Sequence, residues 1–195
     1  MAEHVSITDP QIHEPKGVSS ADEGHVYIAD GLGSGDWKLP GGSVFGEMEV
    51  INNSTIQALS AASDATLNTA TDYVKVDSGI WTVGEINNMT FDATNDKLII
   101  PVTGTYRLNV WLSFKMSVLT TLAAFRFSWD DTNDHMSVRR ALRLSGNAGD
   151  VGSVSMSIFR PLIAGDTVSL FVAADKAVNL TVVEAGINVV LMKEE

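Results

Sequence analysis

From about Val44 onward the chain alternates apolar and polar residues in short runs, broken by Gly, Asn, Asp and Pro. This texture constrains the fold more than any other feature. A period of two sends successive side chains to opposite faces, so it specifies sheet with one buried side. Tyr106-Arg107-Leu108-Asn109-Val110-Trp111-Leu112 alternates cleanly, and Val151-Gly152-Ser153-Val154-Ser155-Met156-Ser157-Ile158 sets apolar residues against Gly and Ser. Further strand-sized runs cover 45–51, 72–76, 88–92, 97–102, 123–129, 138–144, 167–173, 179–184 and 186–192. Many short strands at this spacing predict an all-β sandwich or barrel. The Ala-rich stretch 54–67 is the one helix candidate. Its Ser, Thr and Asn compete for backbone groups, so a loop or irregular strand fits equally well.

Residues 1–43 have a different character. They hold three of the five prolines (Pro10, Pro15 and Pro40) and seven glycines between Gly17 and Gly42. Their apolar pieces, such as Val26-Tyr27-Ile28-Ala29 and Trp37-Lys38-Leu39, are too short to build a core. Ordering a residue costs about 1–2 kcal/mol of backbone entropy, and little burial is on hand to offset it. The division predicted is an arm, 1–43, ordered when another surface receives it, and one domain, 44–195. Within the arm, 24–29 can add a strand to a partner's sheet edge. Trp37, and with it Tyr27, is an expected anchor, since an aromatic in a glycine-rich arm would otherwise face water.

Charge and composition remove whole classes of function. Thirteen Lys and Arg face 24 Asp and Glu, a net charge of −11. Such a chain is a poor binder of nucleic acid or of an anionic membrane, both of which need basic residues. With no cysteine there is no disulfide, thiolate nucleophile or cysteine-held metal. No window approaches the ~18 apolar residues of a membrane span, and Met1-Ala2-Glu3-His4 does not begin a signal peptide. The expectation is a soluble protein made without a recognisable export signal.

Two blocks in the C-terminal part carry a family likeness. The first is Phe91-Asp92, then Asn95-Asp96-Lys97-Leu98-Ile99-Ile100-Pro101-Val102-Thr103-Gly104-Thr105-Tyr106, with a following strand that ends in Leu112-Ser113-Phe114. The second is Leu162-Ile163-Ala164-Gly165-Asp166-Thr167-Val168-Ser169-Leu170. Together they resemble the jelly-roll domain shared by tumour necrosis factor and the globular heads of complement and collagen-like proteins. Gly46-Glu47-Met48-Glu49-Val50, Tyr73-Val74-Lys75-Val76 and Trp81 look like the start of bacteriophage versions of that domain. The resemblance implies an all-β jelly-roll sandwich that forms a homotrimer, with aromatics of its strands around the threefold axis. Tyr106, Trp111, Phe114 and Phe171 are the interface residues it suggests. Taken as residues alone, Thr103-Gly104 reads as a tight turn needing positive φ, and Ala164-Gly165-Asp166 as a turn whose carboxylate bonds backbone N–H groups.

The arm has its own resemblance. Ile7-Thr8-Asp9-Pro10, His13-Glu14-Pro15-Lys16-Gly17, Val26-Tyr27-Ile28-Ala29-Asp30-Gly31 and Gly33-Ser34-Gly35-Asp36-Trp37 look like N-terminal segments of phage virion proteins. Those are called head fibre, decoration, cement or tail fibre proteins. In them the N-terminal part attaches to the particle and the jelly roll projects. This implies a capsid decoration protein on the virion surface whose partners are itself and a major capsid protein. His13, Pro15, Val26, Tyr27, Ile28 and Trp37 are its expected capsid-binding residues. The alternative is a tail fibre or receptor-binding protein whose jelly-roll tip recognises a host surface glycan or protein, through loops at 115–122, 130–137 or 145–150.

No enzyme is expected. Gly31-Leu32-Gly33-Ser34-Gly35 lacks nucleotide-loop spacing, and no G-x-S-x-G elbow is present. The histidines His4, His13, His25 and His135 have no metal spacing, and no cofactor motif stands out. Asp130-Asp131-Thr132-Asn133-Asp134-His135 offers oxygen ligands that suit calcium, but Met136 stands where a calcium loop needs glycine. A solvated turn is the simpler reading.

Overall fold

A computed structural model describes residues 21–29, 35–41, 43–76, 79–118, 120–131, 140–144 and 150–195. Among these, β1 (Val26–Ala29) and β2 (Gly35–Lys38) pair as an antiparallel hairpin. The remaining strands form two sheets. The first has the order β12 (Val151–Leu162), β9 (Gly104–Met116), β14 (Val178–Glu194), β3 (Phe45–Val50), β6 (Thr82–Asn87), with β4 (Gln57–Leu59) also on β14. The second has the order β11 (Arg140–Leu144), β10 (Thr121–Ser128), β13 (Thr167–Ala174), β8 (Lys97–Ile99), β7 (Thr90–Asp92), with β5 (Val74–Lys75) also on β13. The first and last long strands, β3 and β14, lie side by side, and every strand-to-strand ladder is antiparallel. The result is an all-β jelly-roll sandwich.

The alternation in β9 explains the layers. Tyr106, Leu108, Val110, Leu112, Phe114 and Met116 are buried between the sheets, whereas Arg107, Trp111 and Lys115 are exposed. Phe114 meets Phe125 of the facing sheet edge-to-face, with ring centroids 5.0 Å apart, an arrangement aromatic quadrupoles favour.

β13 is buried along nearly its whole length because both its faces are covered. Leu170 and Val172 face the main core, while Phe171 and Ala173 join Leu67, Tyr73 and Ala124 in a second cluster. The segment that supplies Leu67 is the helix candidate 54–67. Instead of a helix it holds β4, a parallel bridge from Ala61 to Ala174 and a turn. The competition expected from its polar residues is visible: the Asp64 carboxylate accepts from the Thr66 amide at 2.8 Å and the Asn68 amide at 3.1 Å. Leu67 takes a φ of 56° and its carbonyl accepts from the Tyr73 hydroxyl at 2.8 Å. Asp72 closes the segment. Hydrogen bonds from Ser63, then from the Asp64 amide, hold its carboxyl below the usual range.

Two glycine expectations resolve differently. Gly165 has a φ of 96°, and Asp166 Oδ2 accepts from the Ile163 amide at 3.0 Å, as the turn reading requires. Gly104 is a correction, since its φ is not in the positive range. A Cβ there would stand 2.4 Å from the Lys193 carbonyl oxygen, so close approach of β9 to β14 demands the glycine.

Candidate functional site

The outer face of the first sheet is where the fold exposes large aromatics. Trp111 of β9 is 50% exposed and Phe159 of β12 is 65% exposed. Both stand at outward positions of neighbouring antiparallel strands. Trp111 lies close against the sheet because β14 offers Gly186 beneath it; a Cβ at Gly186 would meet the indole at 2.6 Å. Beside Trp111 is a notch of about 320 Å³, edged by Ser113, Ser153 and Ser155. The Ser113 and Ser153 hydroxyls share a 3.2 Å hydrogen bond across it.

Between the two aromatics runs a polar row. Ser157 Oγ donates to Asn109 Oδ1 at 2.7 Å, and Asn109 Nδ2 reaches Asn188 Oδ1 at 3.5 Å. Arg107 and Lys115 face outward on β9, and Glu47 and Glu49 face outward on β3, with β14 between them. One face thus carries positive charge on one side and negative charge on the other.

The four interface residues suggested by sequence separate here. Trp111 is on the outer face. Tyr106 and Phe114 point into the sandwich and are fully buried, and Phe171 sits under the 60–73 segment. Their rings pack within the chain's own two hydrophobic clusters. Burial pushes the Tyr106 phenol up to about 12, although its hydroxyl donates to the Val102 carbonyl at 2.8 Å. Phe159 was missed. Extending the alternation of Ser153, Ser155 and Ser157 by one step places it on the exposed face.

The N-terminal hairpin supplies a second feature. Cross-strand neighbours Tyr27 and Trp37 pack edge-to-face at 5.5 Å on one face of the hairpin. Val26 and Ile28 are exposed on the other. Gly35 allows the two strands to close, because a Cβ there would meet the Ile28 carbonyl oxygen at 2.2 Å. Beyond the hairpin the chain meets the sandwich: the Leu39 amide donates to Glu194 Oε2 at 2.6 Å, and Leu39 packs against the core. His13 and Pro15 lie outside the described residues.

The acidic cluster is put to structural use where it is described. Asp131 accepts from Lys75 Nζ at 2.5 Å, Lys97 Nζ at 3.4 Å and the buried Ser169 hydroxyl at 3.0 Å. Lys75 also donates to the Asn95 carbonyl. Among the described residues no group of three or more His, Asp or Glu is placed to hold a metal ion. The rest of the cluster, 132–135, lies outside them.

No protein-family model and no curated protein matches the chain. Solved structures do. The chain is similar to Eiger TNF from S. frugiperda at 16% identity, over 78% of this chain and 95% of that one, with a TM-score of 0.52. It also overlaps the globular domain of zebrafish complement 1qA at 14% identity, over 78% of this chain and 99% of that one, TM-score 0.48. For the PRD1 vertex protein P5 the values are 12% identity, 77% of this chain, 98% of that one and a TM-score of 0.45. The fold is a jelly-roll sandwich of the tumour necrosis factor kind.

Proposed function

We propose that the protein is a structural component of a phage virion, a homotrimeric decoration (cement or head-fibre) protein that binds the capsid exterior through its N-terminal arm and stabilises it. The observation that carries the self-association is the outer face of the first sheet. A half-exposed Trp and a mostly exposed Phe flank the polar row on adjacent strands, and contact between copies would cover both. The notch beside Trp111 and the opposed charges of β9 and β3 suit contact between rotated copies. The virion assignment rests on the resemblance of the arm's segments to those of phage virion proteins. The hairpin, with its paired Tyr27 and Trp37, gives that arm a shaped contact element.

Light scattering on the purified chain tests the association. The expected mass is three times that of the protomer, and Trp111→Glu should lower it to one protomer mass with an unchanged far-ultraviolet spectrum. A parent chain that runs as a monomer at micromolar concentration would remove the trimer from the proposal.

A further inference from the structure

The outer face of the first sheet holds charges that the chain leaves without partners of its own. Arg107 and Lys115 stand exposed on β9, and Glu47 and Glu49 face outward on β3. Glu184, exposed on β14 between them, adds a third carboxylate. Among the described residues none of these five side chains enters an ion pair or a side-chain hydrogen bond; the ion pairs there join Lys75 and Lys97 to Asp131, and Arg143 to Asp175.

The sheet keeps the cations of β9 apart from the carboxylates of β3. β14 runs between the two strands, so their backbones stand about 10 Å from each other. Glu47 also leans away from β9: its side chain lies over Gly84 of β6, where a Cβ would stand 2.9 Å from Glu47 Cγ and 3.0 Å from Oε2. Gly186 seats Trp111 in the same way, in the row that ends at Glu49. Exposed ion pairs are weak partly because two mobile side chains must be ordered to form them. A carboxylate already laid in one pose has lost much of that freedom, so a cation brought to it gains more.

We propose that Arg107 of one copy pairs with Glu47 of the next, and that this match lays the β9 side of each outer face on the β3 side of its neighbour in a closed ring of three. The inference rests on the self-association proposed above and says how the copies meet. The occupant is a second copy because the face bears both signs. A basic partner would meet Glu47 but oppose Arg107 and Lys115, and an acidic one would do the reverse. Head-to-tail contact puts opposite signs together at every interface, and such contacts close into a ring. Copies stacked about an axis across the strands would set like charges against each other. In a ring whose axis runs along the strands each residue keeps its height. Glu47 shares a row with Asn109, and Arg107 is one outward step along β9, about 7 Å and within an arginine's reach. Arginine suits the role, since its planar guanidinium grips a carboxylate through two parallel N–H bonds.

The test is charge exchange on the full chain, with mass read by light scattering over a concentration series. Arg107→Glu and Glu47→Arg, each with an unchanged far-ultraviolet spectrum, should raise the concentration for half-association at least about tenfold. The double variant Arg107→Glu/Glu47→Arg restores the match at every contact and should return that midpoint to within about threefold of the parent's. The pairing is overturned, with the trimer left standing, if a trimeric parent associates no better than either single variant. The same holds if the double variant, folded by the same spectrum, stays outside the threefold range. A parent of two protomer masses overturns the ring. A monomeric parent removes the self-association and this inference with it.

Discussion

Tyr106 shows how one side chain ties stability to pH. Its phenol is buried and its hydroxyl is held by the Val102 carbonyl, so the folded protein favours the neutral form and the pKa rises from 10.0 to about 12. A group raised in the folded state stabilises fully below its unfolded pKa, and that contribution is lost as pH climbs through the folded value. Urea midpoints should therefore fall between about pH 10 and pH 12. Tyr106→Phe should cost about 0.5–1.5 kcal/mol at neutral pH, the net worth of one hydrogen bond, and should flatten the alkaline decline. An equal decline in both proteins would contradict this role. At this scale the sequence marked Tyr106, Gly104 and Trp111 as special, but not why. Whether a strand aromatic faces the core or the solvent depends on the parity of its position: Tyr106 and Phe114 share the inward parity, and Trp111 has the other. The need for Gly104 comes from the Lys193 carbonyl, 89 positions away, and no local pattern reveals it.

At the scale of elements, Asp131 fastens three pieces together, β5 through Lys75, β8 through Lys97 and β13 through Ser169. Its φ of 61° suits an Asx residue, so Asp131→Asn keeps the backbone, removes the charge and replaces one of the two accepting oxygens with an amide N–H donor. The substitution should cost about 1–2 kcal/mol in urea unfolding, between the values for exposed and for buried pairs. No change in midpoint would mean that the lysines are held well enough by water. The long strands were legible because one face of each is buried. β6 was not foreseen, since five of its six residues are exposed and no alternation survives. β14 was expected as two strands, 179–184 and 186–192. It is one strand of 17 residues with register shifts at Val182/Glu184 and Leu191/Lys193, and those shifts interrupt the period. The 54–67 stretch reads ambiguously because tertiary contacts, with Leu67 packed beside Tyr73 on the outside of β13, decide its path.

The whole molecule combines a sandwich of the tumour necrosis factor kind, an aromatic outer face, and a short hairpin at the start of the described chain. If three copies meet through that face, three hairpins are presented together. Modest contacts per arm then sum to tight attachment, because the second and third bind at a high effective concentration. A net charge of −11 would favour the solubility of such an assembly. The measurement that tests the proposed attachment most directly is co-sedimentation with undecorated phage capsids. The parent chain should sediment with the capsids, and Tyr27→Ala/Trp37→Ala, with unchanged mass by light scattering, should stay in the supernatant. A parent chain that stays in the supernatant, or a double variant that sediments equally well, would contradict attachment to the capsid through the arm.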